Sequence, residues 1–107
     1  MPQEERQTRQ SSGVREKVRT PRMYSVFAVN DDFTTFEFVV WVLAEVFGKS
    51  VEEGYAIAER THFDGKGLVG KYTRDMAYSR MEKATALARA NGFPLRFTAE
   101  PEDNENR

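Results

Sequence analysis

Asn30, Asp31 and Asp32 stand in a row where an apolar run ends, and the only histidine of the chain, His62, follows later. The row offers amide and carboxylate acceptors, and a neutral imidazole adds one more through a ring nitrogen. Thr34, Phe36 and Val39 come directly after it, so the acceptors lie at the mouth of an apolar surface. That combination suits a ligand with a cationic head and an apolar side chain. Each feature also has a plain structural use. Asn and Asp end strands and cap helices, and a histidine near a helix C-terminus is favoured by the helix dipole. The ligand reading depends on the two groups meeting in space.

Rival chemistries fit these residues less well. Asp31 or Asp32 with His62 has the groups for an acid–base pair. Yet the chain has no cysteine, no Gly-x-Ser-x-Gly, and no phosphate loop or dinucleotide fingerprint. Three consecutive polar residues also lack the alternating spacing of a calcium loop. No enzyme activity, metal or cofactor is therefore expected.

The elements that must position these side chains are written in periodicity and punctuation. Residues 23–29 are aromatic and β-branched and alternate, with Tyr24, Val26 and Ala28 on one face, which predicts a strand. Thr34 and Glu37 have capping-box spacing, predicting a helix over residues 35–47 with Gly48 as its left-handed terminator. Ser50 and Glu53 repeat that spacing and predict a helix over residues 51–62, stopped by Asp64-Gly65-Lys66-Gly67. Residues 68–72 read as a short strand. Thr73 is placed to cap a third helix over 74–91, with Gly92 and Pro94 beyond, and residues 95–98 alternate as a last strand. The order β-α-α-β-α-β predicts an α+β domain, a three-stranded antiparallel sheet packed against three helices.

The first helix carries more apolar surface than a sheet can cover. Phe36, Phe38, Val39, Val40, Val42, Leu43, Val46 and Phe47 span an arc of about 200°, twice the stripe a sheet-packed helix needs. The second helix is expected to cover most of the excess. Phe36, Val39 and Leu43 nevertheless share a face that begins beside the acceptors. Trp41 falls outside the arc, at least partly in solvent.

Composition bounds the rest. A chain of 107 residues holds one domain. Residues 1–22 carry six Lys/Arg against three Glu and almost no large apolar side chains, so a disordered basic arm is expected there. Residues 100–107 read as a disordered acidic tail, which leaves 23–99 as the folded domain. A net charge of −1 gives no strong pull toward nucleic acid or membrane, and the arm is the only candidate for RNA. No apolar leader segment or membrane-length apolar run occurs, so a soluble, cytoplasmic monomer is expected.

The run Tyr24-Ser25-Val26-Phe27-Ala28-Val29-Asn30-Asp31-Asp32-Phe33-Thr34, then Glu37-Phe38-Val39, then His62-Phe63-Asp64-Gly65-Lys66-Gly67, resembles ClpS, the bacterial N-degron adaptor family. The passage from Ala88 to Phe97, with Asn-Gly-Phe-Pro-Leu, is similar to that family's last helix-to-strand segment, so the likeness covers about residues 22–99. It implies an adaptor for proteins that begin with Leu, Phe, Tyr or Trp, delivering them to a ClpA-type AAA+ unfoldase for degradation by ClpP. It further implies that Asn30, Asp31 and His62 bind the α-ammonium group, and that Asp32 and Thr34 shape the site. Phe36, Val39, Leu43, Ala58 and Thr61 would form the side-chain pocket. Asp75, Arg80 and the basic arm would face the N-terminal domain of the unfoldase. Three positions depart from the family pattern: Phe36 at a gate usually occupied by Met, Thr35 in place of a common Pro, and Thr61 in place of an apolar β-branched residue.

Overall fold

The computed structural model describes residues 21–102; of the basic arm only Pro21 and Arg22 are among them, and of the acidic tail only Glu100, Pro101 and Glu102. Strand β1 (Met23–Val29) lies at the centre of an antiparallel sheet, between β2 (Lys66–Thr73) and β3 (Arg96–Pro101). Helices α1 (Phe36–Phe47) and α2 (Val51–Asp64) connect β1 to β2, and α3 (Arg74–Ala90) connects β2 to β3. The predicted α+β order is the one observed. Alternation in β1 buries Val26 and Ala28 completely, and they meet Val42, Leu43 and Val46 of α1 with Leu95 and Phe97 in one core. Helix α3 joins that core through Ala77, Ala84 and Ala88, all fully buried, whose short side chains allow a close approach. Trp41 is 46% exposed, as its place outside the apolar arc predicts.

The differences are local and have identifiable causes. Thr35, not Thr34, caps α1, its hydroxyl oxygen accepting from the Phe38 N–H at 3.1 Å. The Thr34 N–H and hydroxyl both donate to the Asp31 carboxylate, so the N–H that a Thr34–Glu37 capping box would give to Glu37 is already taken and the expected box does not form. The Ser50–Glu53 box does form, with both reciprocal bonds in place. Thr73 stands at the N-cap of α3 without a side-chain hydrogen bond, and α3 closes at Ala90 with Asn91 as its cap.

Strand β2 starts two residues earlier than its glycines suggest. Gly65 adopts a left-handed φ of 91° that reverses the chain in one step, so Lys66 already pairs with Val29. The β1–β2 register shifts between Val26 and Phe27, which absorbs one extra residue at Val69. Strand β3 runs on through Glu100 and Pro101, into the stretch expected to be tail. The acidic side chains there have partners: Glu100 meets Lys66 at 2.7 Å and Glu102 meets Lys71 at 2.8 Å, while the Glu102 N–H donates to the Met23 carbonyl. Among the described residues no helix is long and apolar enough to cross a membrane.

Candidate functional site

The acceptor row is folded into a tight loop by Asp31. Its Oδ1 accepts from the backbone N–H groups of Phe33 (2.8 Å) and Thr34 (2.7 Å), and its Oδ2 accepts from the Thr34 hydroxyl (2.8 Å). Partial burial pushes the Asp31 carboxyl up, but the bonds from Thr34 and Phe33 and the more distant Arg96 charge outweigh it, and the group lies below the ordinary carboxylate value. Asp31 is thus charged and fixed, and it holds the loop that leads into α1.

A single backbone bond joins this loop to the histidine. The Asn30 N–H donates to the Gly65 carbonyl at 2.9 Å, and the Gly65 N–H donates to the Thr61 carbonyl at 3.0 Å. The end of β1 is thereby tied to the last turn of α2, which carries Thr61 and His62. Close packing beneath that turn depends on Gly67, which lies opposite Ala28 in the sheet. A Cβ there would collide with Thr61 Oγ1 and come within 2.8 Å of the Ile57 carbonyl oxygen.

The result is an open cavity of about 390 Å³ between the loop, α1 and α2. Asn30, Asp31, Asp32, Thr34 and His62 supply most of its polar lining. Phe36, Val39 and Ala58 supply the apolar lining, and Thr61 completes it with a hydroxyl already bonded to the Ile57 carbonyl at 2.8 Å. Thr61 therefore presents no free donor, and its departure from an apolar residue costs the cavity little polarity. Nine residues singled out in the sequence surround this one space. The tenth, Leu43, does not: it is fully buried in the core, because the i+7 position of a helix face that begins at the cavity lies two turns deeper.

One participant escaped sequence reasoning. Tyr55 of α2 holds the Phe36 ring edge-to-face, with centroids 4.8 Å apart and planes at 74°. Contact between two helices leaves no periodic signal in either of them. Asp75 and Arg80 lie elsewhere. Arg80 donates to the Val46 carbonyl at 2.8 Å and so satisfies the C-terminal end of α1, while Asp75 is exposed beside a recess that also includes Pro21 and Arg22. Among the described residues no group of three or more His, Cys, Asp or Glu side chains is placed to hold a metal ion.

Comparison with known proteins follows the same lines. The family model described as ATP-dependent Clp protease adaptor protein ClpS matches residues 19–98. An ATP-dependent Clp protease adapter protein ClpS from Desulforapulum autotrophicum is 48% identical over 94 residues, 88% of this chain and 90% of its own. A ClpS 2 from Rhizobium meliloti is 46% identical over 87 residues, 81% of this chain and 86% of its own. The solved structure of Agrobacterium tumefaciens ClpS2 bound to L-phenylalaninamide is similar with a TM-score of 0.75 and 41% identity, covering 78% of this chain and all of that one. By its matched length, its identity to these relatives and its fold, the chain belongs to the ClpS family of Clp protease adaptors.

Proposed function

We propose that this chain captures proteins by a free N-terminal Leu, Phe, Tyr or Trp and hands them to a ClpA-type AAA+ unfoldase for degradation by ClpP. The observation that carries the reading is the union, in one cavity, of Asn30, Asp31 and His62 with the apolar wall of Phe36, Val39 and Ala58. L-phenylalaninamide, the ligand of the related ClpS2, has the matching chemistry: a free amine, a benzyl group, and a carboxamide where the next peptide bond would begin. In this reading the ammonium donates to Asn30 Oδ1, to the Asp31 carboxylate and to a neutral His62 ring nitrogen, while the first side chain enters the apolar half. Acetylation removes the charge and two donors, leaving acceptors unpaired.

The deciding measurement is fluorescence anisotropy with short peptides beginning Leu, Phe, Tyr, Trp, Ile or Ala, alongside an N-acetylated Phe peptide. Tight binding of at least one Leu or aromatic terminus is expected. The acetylated form should bind at least about thirtyfold more weakly, as for a charged hydrogen-bonding partner removed from a partly buried site. Equal binding of free and acetylated peptides would rule the reading out. Phe36 supplies a second prediction. Phe36→Met replaces a ring pinned by Tyr55 with a flexible thioether, and should change the relative affinities of the Leu and Trp peptides by about three- to tenfold. An unchanged ranking would make Phe36 a core residue only.

Delivery belongs to the other end of the molecule. Asp75, Pro21 and Arg22 border one recess at the start of β1, and the acceptor loop lies at its end. Seven strand residues separate the two by about 20 Å. A substrate held at one end thus leaves Asp75, Arg80 and the basic arm free to meet the N-terminal domain of the unfoldase in the cytoplasm. The arm itself lies mostly outside the described residues.

A further inference from the structure

The cavity has a neighbour. On the outer side of α1 and α2, an apolar groove of about 390 Å³ is lined by Val40 and Trp41 from α1, Val51 and Tyr55 from α2, and Phe36, with Glu37 the only charged residue on its wall. Its walls are open to solvent: Trp41 is 46%, Tyr55 54% and Val51 66% exposed. Such a cluster of large apolar side chains at one place on a small surface calls for a function. Phe36 lines the cavity and the groove alike, so the two spaces adjoin at that residue.

We propose that this groove is a second subsite, which holds an apolar or aromatic side chain at position 2 or 3 of the captured protein. The inference rests on the first-residue reading above and extends it downstream. Continuity supplies the argument. Phe36 forms a wall of both spaces, with Tyr55 packed against it on the groove side. An extended chain advances up to about 3.6 Å per residue, so a peptide that leaves the cavity across Phe36 clears that one ring within about two residues. Successive side chains of an extended segment point to opposite sides, so one of positions 2 and 3 faces the groove. A recess of about 390 Å³ has room for one large side chain, whereas each partner in a stable protein interface brings roughly 800 Å². One side chain of the captured protein, not a second folded copy, is therefore the occupant assigned.

The test uses free-amine peptides of one length that begin Phe-Ala-Ala, Phe-Leu-Ala, Phe-Trp-Ala, Phe-Ala-Leu and Phe-Ala-Trp. Affinities are measured for the full chain and for its Trp41→Ser and Val51→Ser variants. In the unmodified protein the best Leu or Trp peptide should bind about tenfold tighter than Phe-Ala-Ala. Both variants should shrink that advantage while binding Phe-Ala-Ala as before. Val51→Ser guards against a folding effect of Trp41→Ser, whose ring also touches Phe38. Equal affinities across the five peptides, or an advantage that survives both variants, would overturn the subsite. If neither Phe-Ala-Ala nor its counterparts beginning Leu, Tyr or Trp bind, the first-residue reading falls and the subsite with it.

Discussion

Asp31→Ala should lose at least about thirtyfold in affinity for a peptide with a free aromatic N-terminus, and should also lower the melting temperature. The two losses have different origins, and a second substitution separates them. Alanine removes the acceptor of three bonds, from the Phe33 and Thr34 N–H groups and the Thr34 hydroxyl. The nearest measured analogue is loss of a helix N-cap, which costs about 0.5–2 kcal/mol. For a domain of this size 1 kcal/mol corresponds to a shift of roughly 4–8 °C. Asp31→Asn keeps a carbonyl oxygen for both backbone donors, and its amide can donate to the Thr34 hydroxyl. It should therefore melt near the unmodified protein. It has lost the charge that would face the proposed ammonium, however, and should still bind about tenfold more weakly. If Asp31→Asn binds normally, the carboxylate serves the loop and not the ligand.

The same group sets an acid limit. Hydrogen bonds hold the folded-state carboxyl of Asp31 below its ordinary value against the opposing effect of burial. A depressed carboxyl contributes stability that is complete above the unfolded value, about 3.9, and is lost as the pH falls through the folded one. Melting curves from pH 7 down to about pH 2 should accordingly fall less steeply for Asp31→Asn than for the unmodified protein. Parallel curves would mean that the loop tolerates a protonated Asp31.

Much of this site is legible in the linear sequence, for reasons that particular residues make clear. Strand β1 declares itself by alternation, and α2 by Ser50 and Glu53, whose box closes with both bonds. The acceptors are adjacent in sequence, so only His62 had to be brought to them by the fold. What sequence does not reveal is competition. Thr34 has the spacing of a cap, yet the nearby carboxylate takes its donors and passes the cap to Thr35. Burial depth is equally hidden: Val39 and Leu43 share a helix face, but Val39 borders the cavity and Leu43 is sealed beneath it. Contacts between elements are hidden too, as with Tyr55 on Phe36. Glu100 has the charge of a tail residue, although Lys66 and the edge of β1 supply what that charge and backbone need.

The same substitution at two glycines should have opposite effects, which tests the support beneath the cavity. Gly67→Ala would put a Cβ against Thr61 Oγ1, 2.8 Å from the Ile57 carbonyl oxygen and 3.0 Å from the Thr61 nitrogen. Two of these three atoms are backbone, and the third is held by its bond to Ile57, so none can turn aside. Either α2 lifts from β2 or the strand is pushed away, at an expected cost of about 1–3 kcal/mol in chemical denaturation. Thr61, Ala58 and His62 ride on the turn that must move, so peptide affinity should fall along with stability. Gly54 also lies in α2 and is buried, but a Cβ there would meet nothing nearer than 3.4 Å. Gly54→Ala should therefore stabilise the protein by up to about 1 kcal/mol, through helix propensity and a less flexible unfolded chain, and leave binding unchanged. If Gly67→Ala unfolds the protein outright, Thr61→Ala still probes the turn. It removes the back-bond to Ile57 while leaving the Asn30–Gly65 link, and should alter affinity more than melting temperature. A Gly67→Ala protein that is as stable and binds as well as the unmodified one would show that α2 and β2 can separate without disturbing the site, and that the closeness of the two elements is not what positions His62.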